Sequence, residues 1–331
     1  LIEDYSADAV RAGMMLLSSG AGNDLLFDET KLQQGKAFIN KITNAYRLVS
    51  GWEVSDAINQ PASSKIAIEW YQSKFQRAYA EMEDHFSKYR LSDSLMTLYK
   101  LIWDDFCSWL LEMVKPGYQQ PIDRATYDAI ILAFENNLKV LHPFMPFITE
   151  EIWHQIAPRT QEEALIISRY PSKDLVNNTV LNDFEIASEV ISGIRTIRKE
   201  KNISFKEPIK LFVINNIGAS PSFDAVIKKM GNVEHLEYIS EKMGGALTYR
   251  VKSNEYFIPM EGSVNVENEI EKLSNELTYT EGFLKSIQAK LTNERFVNNA
   301  PEKVVASEKQ KEADALAKIT TLKNSLSSLT K

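Results

Sequence analysis

The chain has 331 residues, 44% of them apolar and 25% charged, an ordinary globular composition that excludes a fibre or wholesale disorder and allows two or three domains at roughly 150 residues each. The net charge of −7 gives no overall attraction for a polyanion, yet binding needs only a local basic surface, and Arg195–Lys210 holds six basic residues against two acidic ones, a net of +4. A single cysteine, Cys107, excludes an intrachain disulfide and a cysteine-based zinc site and fits a reducing compartment. No apolar run approaches the ~18 residues of a membrane span, no signal peptide is visible, and the opening at Leu1 without Met reads as a piece of something larger.

Thirteen Gly and eleven Pro make about 7% of the chain, against roughly 12% in an average protein, and so few breakers predict long helices. From Leu1 to about Pro171, helices are expected at about 5–18, 29–50, 62–88, 92–114, 122–141 and 147–157. In the fourth, Leu95, Leu98, Tyr99, Ile102, Phe106, Trp109, Leu110 and Met113 recur at spacings that form one apolar stripe, with Ser92 as N-cap and Pro116 as the stop. Amphipathic helices joined by short connections imply a helical bundle over 1–171.

The texture changes over 176–262. A helix at about 179–201 leads into the β-rich runs KLFVIN (210–215), HLEYI (235–239), ALTYRV (246–251) and EYFIPM (255–260). A helix at 222–230 separates the first two, and Lys252–Ser253–Asn254 reads as a hairpin turn. This predicts a small α+β domain with linkers at 171–178 and 259–263.

Heptads begin at 264. Val266, Ile270, Leu273, Leu277, Thr280, Leu284, Ile287 and Leu291 alternate spacings of four and three, as do Ala315, Ile319, Leu322, Leu326 and Leu329. Such a seam needs a partner helix, and a chain reversal across 293–307 lets the two stretches bury one another as an antiparallel two-helix coiled coil over 264–331. Acidic and basic residues balance at ten each, so the arm is no simple polycation.

Motifs for bond chemistry are missing. The four histidines, 85, 142, 154 and 235, form no HExxH pair, and the chain has no phosphate-binding glycine loop and no G-x-S-x-G elbow. Asp104 and Asp105 are adjacent carboxylates that point about 100° apart on a helix and read as surface or polar-contact groups.

Four stretches together resemble the valyl-tRNA synthetase family of class I aminoacyl-tRNA ligases: DYSADAVRAGMMLLSSGAGNDLLFDETKL (4–32) with GKAFINKITNAYRLV (35–49), LYKLIWDDFCSWLLEMVKP (98–116), LHPFMPFITEEIWHQI (141–156) and KLTNERFVNNAPEKVVASEKQK (290–311). The third resembles a corner shared by valyl, isoleucyl and leucyl enzymes; the fourth is similar to the valyl family's coiled-coil connection alone. Ser6 stands where that family usually has Gly, and Thr43 where it commonly has an aromatic residue. The H-x-G-H and KMSKS signatures do not occur. The resemblance therefore implies a mainly α C-terminal fragment: a helical-bundle anticodon-binding domain, the small α+β domain and the coiled-coil arm. It also implies a cytoplasmic, monomeric partner of tRNA(Val). ATP and magnesium would serve the parent enzyme's valine ligation in a catalytic domain upstream of Leu1, with no cofactor in this fragment.

Anticodon bases splayed from a loop are read by stacking and by hydrogen bonds to their edges. On the helix at 29–50, Asn40, Asn44 and Arg47 share a face, with Lys41 and Leu48 beside them, and the family's anticodon-facing positions align near Thr30, Lys41, Arg47 and Leu48. Arg195, Arg198 and Lys199 span one turn suited to phosphate oxygens. The resemblance sends the arm to the outer corner of the tRNA, with Lys285, Lys290, Arg295, Lys309 and Lys311 as backbone contacts. Phe144, Phe147 and Trp153 are expected in the core, and His142 to close a helix by bonding to backbone. Two other readings are a helical interaction scaffold, which would show no tRNA preference, and the same region of an isoleucyl or leucyl enzyme.

Overall fold

Helix dominates the chain, as its low Gly and Pro content dictates. The computed structural model describes residues 1–18, 26–218, 220–259 and 266–292 (side chains from 274 in the last), then 305–309, 311–313, 315–316, 319 and 322–323. Two units are compact in themselves, Leu1–Ile258 and Pro259–Lys331.

The first unit opens with α1 (Ile2–Tyr5) and α2 (Ala7–Leu17), separated where Ser6 takes φ 79° and then caps α2 through its side chain, so α2 is the helix expected at 5–18 and the short α1 before it is an addition. Next come α3 (Glu29–Ser50), the two-residue β1 (Val54–Ser55), α4 (Ala62–Ser87) and α5 (Leu91–Lys100). The chain continues without a break through a π-helix, Leu101–Leu110, into α6 (Leu111–Val114). Ser92 is not the cap expected there; it lies inside α5 and its hydroxyl donates to the Leu16 carbonyl at 3.3 Å. Strand β2 (Ile122–Asp123) pairs in parallel with β1, after which Asp123 caps α7 (Arg124–Leu141), and α8 (Pro146–Ile156) follows. This β1–β2 pair was not expected, being too short to show any alternation.

The rest of the unit is α9 (Asn178–Glu200), β3 (Ile209–Ile214), α10 (Asp224–Gly231), β4 (Val233–Tyr238), β5 (Ala246–Val251) and β6 (Asn254–Pro259). The four strands form one sheet in the order β4-β3-β6-β5. Strand β3 runs parallel to β4, a pairing that needs a crossover and receives it from α10, and antiparallel to β6 with Phe212 opposite Phe257. Lys252, at φ 52°, turns β5 into β6 at the expected place.

One buried cluster runs through both the bundle and the α+β region. Phe184 of α9 is the joint: its ring lies 4.1 Å from that of Trp70 on α4, 5.2 Å from Trp109 and 5.4 Å from Phe223. The expected linker at 171–178 therefore leads into a helix that packs on both sides, rather than spacing two separate cores.

Helix α2 clamps the corner between α7 and α8. Asp8, 2% exposed, accepts from the backbone N–H groups of Phe147 (3.3 Å) and Ile148 (2.7 Å) at the start of α8, which has no side-chain cap of its own. Arg11 donates to the carbonyls of Pro143 (3.1 Å) and Phe144 (3.4 Å). Burial pushes the Asp8 carboxyl up, against the two N–H groups and Arg11, which favour its charge. Phe144 and Trp153 are core residues as expected, but Phe147 is 65% exposed: its N–H is held by Asp8 while its ring faces outward from the first turn. His142 also departs from expectation. Its Nδ1 lies 2.8 Å from the Thr149 hydroxyl, which itself donates to the Met145 carbonyl, so the imidazole bonds a side chain and not backbone.

In the second unit, α11 (Val266–Leu291) carries the first heptad stretch, and Thr280, Ile287, Ala315, Ile319 and Leu322 are buried along the seam. Three cross-arm contacts fix the direction: Glu281 with Lys323 at 3.0 Å, Gln288 with Glu312 at 3.1 Å, and Lys290 with Glu308 at 3.6 Å. As one number rises the other falls, which is an antiparallel pair. The chain reversal and Arg295 lie outside the described residues.

Replacing Asp8 with Ala leaves two N–H groups of α8 unpaired in a buried corner, a loss of about 1–3 kcal/mol. Urea denaturation is expected to show that loss for Asp8→Ala and a smaller one for Asp8→Asn; identical midpoints for all three proteins would show that the clamp carries no weight.

Candidate nucleic-acid interface

Helix α3 starts where Asp28 accepts from the Thr30 N–H at 2.9 Å and ends at Gly51. Its buried face is Leu32, Gly35, Phe38, Ile42, Ala45 and Val49. The close approach to α2 depends on Gly35, where a Cβ would lie 2.7 Å from the Ala9 carbonyl oxygen. With that face committed, Asn40, Asn44 and Arg47 are exposed, and Leu48 is 42% exposed beside them. Among the described residues, these two amides and the guanidinium have no hydrogen-bond or ion-pair partner, so the Asn pair does not bridge helices within the bundle. Thr30 stands apart, about 15 Å down the helix from Asn40 at 1.5 Å per residue. Its hydroxyl donates to the Asp28 carboxylate at 2.7 Å, which helps hold that carboxyl below its usual range.

Lys41 lies at the edge of this face, half-buried in the groove towards the π-helix, with Nζ 5.4 Å from the centre of the Trp103 ring. A second cation is seated in the same way: the Arg195 guanidinium is exposed and lies 5.7 Å from the Trp109 ring. Both indoles come from the one π-helical segment.

Of the three residues expected to meet phosphate at the end of α9, Arg195 and Lys199 are exposed and Arg198 is not. Arg198 is 5% exposed and donates to the carbonyls of Ser204 (2.7 Å), Gly231 (3.0 Å) and Asn232 (3.1 Å). Burial pushes this guanidinium down from its ordinary value. Arg198 is therefore a strut joining the end of α9 to the α10–β4 turn, a correction to its expected phosphate contact. Sequence hid this because both roles ask for an arginine on a helix end.

On the arm, Lys285 and Lys309 are exposed with no ion pair among the described residues. Lys290 and Lys311 both reach Glu308, at 3.6 Å and 2.7 Å, and the paired Glu308 carboxyl is held below its usual range. Their charge is half-compensated, so they are weaker anion contacts than their spacing implies. The acidic pair on the π-helix behaves as expected: Asp104 is exposed, and Asp105 lies 3.5 Å from Lys74. Cys107 is buried among apolar side chains, which pushes its thiol up to about 12. Among the described residues no three His, Cys, Asp or Glu side chains gather as a metal site, and no helix is long and apolar enough to cross a membrane.

Two family models match parts of the chain. Residues 69–213 match the family described as the anticodon-binding domain of tRNA ligase, and residues 265–330 the valyl tRNA synthetase tRNA binding arm. The valine–tRNA ligase of Christiangramia forsetii is 61% identical over 99% of the chain, which corresponds to 37% of that relative. That of Parabacteroides distasonis is 48% identical over the whole chain and 38% of its own length, and that of Enterococcus faecalis 33% identical over 99% of the chain and 39% of its own length. The chain thus spans under two-fifths of the relatives it matches. With the arm matching the valyl model, the interaction-scaffold and isoleucyl or leucyl readings fall away. By these matches, with the bundle and the antiparallel arm that carry them, the chain holds an anticodon-binding domain of tRNA ligases and a valyl tRNA synthetase tRNA-binding arm, and it is similar along its length to valine–tRNA ligases.

Proposed function

We propose that this chain is the tRNA-recognition portion of a valine–tRNA ligase, gripping tRNA(Val) as a single chain at two places, the anticodon loop and the backbone near the outer corner. The observation that carries the reading is the outer face of α3, where two amides and a guanidinium are exposed without partners among the described residues, in a chain whose residues 69–213 match an anticodon-binding domain. Amides donate and accept at base edges, and arginine pairs bidentately or stacks. Valine ligation at the expense of ATP, assisted by magnesium, belongs to the parent ligase, and residues of this chain serve it by orienting the tRNA. Arg195, Lys199, Lys285 and Lys309 supply sequence-independent attraction to phosphates.

Arg47→Ala is expected to weaken tRNA(Val) binding by about 1–3 kcal/mol, the discrimination of one good bidentate contact, and an anticodon-swapped tRNA by clearly less. Equal losses for both tRNAs in a fluorescence titration would reduce Arg47 to a phosphate or packing residue. Arg195→Ala should flatten the dependence of log affinity on log salt by about one unit. Arg198→Ala should leave that slope alone and instead lower the unfolding midpoint, because three carbonyls lose their donor. Deleting 264–331 spares the core of Leu1–Ile258 and removes the second grip; near-UV circular dichroism should be kept and tRNA affinity lost. Full affinity after the deletion would count against any role for the arm.

A further inference from the structure

We propose that Trp103 is a positioning residue for tRNA binding: its indole holds the Lys41 ammonium ordered and un-neutralised at the groove between α3 and the π-helix. The inference rests on the reading of that face as a tRNA contact. The observation is a ladder of rings. Phe38, 1% exposed on α3, packs 4.7 Å from Tyr99; Tyr99 stacks on Trp103 at 5.3 Å with planes 14° apart; and Lys41 Nζ lies 5.4 Å over Trp103. One end of the ladder is fixed in the core and the other ends in a cation. The backbone beneath Trp103 is also pinned, since its carbonyl accepts from the Ser108 hydroxyl, five residues on, at 2.9 Å.

The choice of partner matters. Some other lysines are held by carboxylates, as Lys74 is by Asp105 and Lys311 by Glu308, and their charge is compensated. Among the described residues Lys41 has no carboxylate within ion-pair distance. A ring quadrupole attracts an ammonium without cancelling its charge. The side chain is thereby restricted before the nucleic acid arrives, so less rotamer entropy is lost on binding while the full charge remains for a base edge or phosphate. Arg195 over Trp109 repeats the arrangement from the same helix.

A double-mutant cycle on the full chain tests this, with Lys41→Met and Trp103→Leu singly and together and tRNA(Val) affinity measured at several salt concentrations. Trp103→Leu is expected to weaken binding about three- to tenfold when Lys41 is present and not at all in the Lys41→Met background, and Trp103→Phe to recover most of the loss. In the free protein, the Lys41 ε-methylene proton resonances should lie upfield of other lysines from the ring current, and the shift should vanish in Trp103→Leu. An equal loss in both Lys41 backgrounds would mean that the ring acts by itself and would overturn the proposal. So would a full-affinity Trp103→Leu beside a weakened Lys41→Met, which leaves the tRNA-contact reading intact. If Lys41→Met binds as the parent does, the tRNA-contact reading of Lys41 falls, and the inference with it. Should Trp103→Leu melt early, Trp103→Phe runs the same cycle at lower amplitude, and random-coil shifts for Lys41 in the unsubstituted protein overturn the inference without any tRNA.

Discussion

The wide turn of the π-helix at Leu101–Leu110 is the constraint on which the placement of the groups on this bundle depends. Hydrogen bonds from i to i+5 enlarge each turn and shift the facing of every later side chain relative to an α-helix. The segment buries Leu101, Ile102, Phe106, Cys107 and Leu110, yet turns Trp103 to α3 and Trp109 to α9. Two indoles from one segment thus meet two cations on two different helices. A regular α-helix through the same residues would not keep both facings, because one added residue per turn rotates the remainder of the helix by about 100°.

Charge in this protein is sorted by burial. Asp8 and Arg11 are spent on the backbone of the α7–α8 corner, and Arg198 on the carbonyls around the α10–β4 turn. These groups satisfy backbone that helix ends leave unpaired, a task an apolar residue cannot do. Arg47, Arg195, Lys199, Lys285 and Lys309 instead keep their charge at the surface. A net negative chain can therefore present basic ground locally, and the residues that form it are those the fold does not need.

The arm obeys a separate logic. Two amphipathic stretches too thin to enclose a core bury one seam between them, and the antiparallel direction allows this within one chain. Glu308 sets its charge pattern by holding Lys290 and Lys311 on either side, which leaves Lys285 and Lys309 as its uncompensated cations among the described residues.

Periodicity by itself determined the helices, because a 3.6-residue stripe in α3 or α4 and a heptad in α11 each have one way to hide their apolar groups from water. Alternation and a turn residue likewise placed the β5–β6 hairpin, and the quoted motifs carried the resemblance to valine–tRNA ligases. Only the tertiary structure decided what polar groups do. Arg195 and Arg198 are equivalent in sequence, three residues apart on one helix, and the packing of α10 made one a surface cation and the other a buried strut. Phe147 and Phe144 belong to one motif, and the Asp8 clamp turned one outward while the other entered the core. Trp103 and Lys41 lie 62 positions apart, and no local pattern joins them. Local sequence fixes which faces are apolar, whereas the partner of a charge or a ring is set by whatever the packed chain brings within a few ångströms of it.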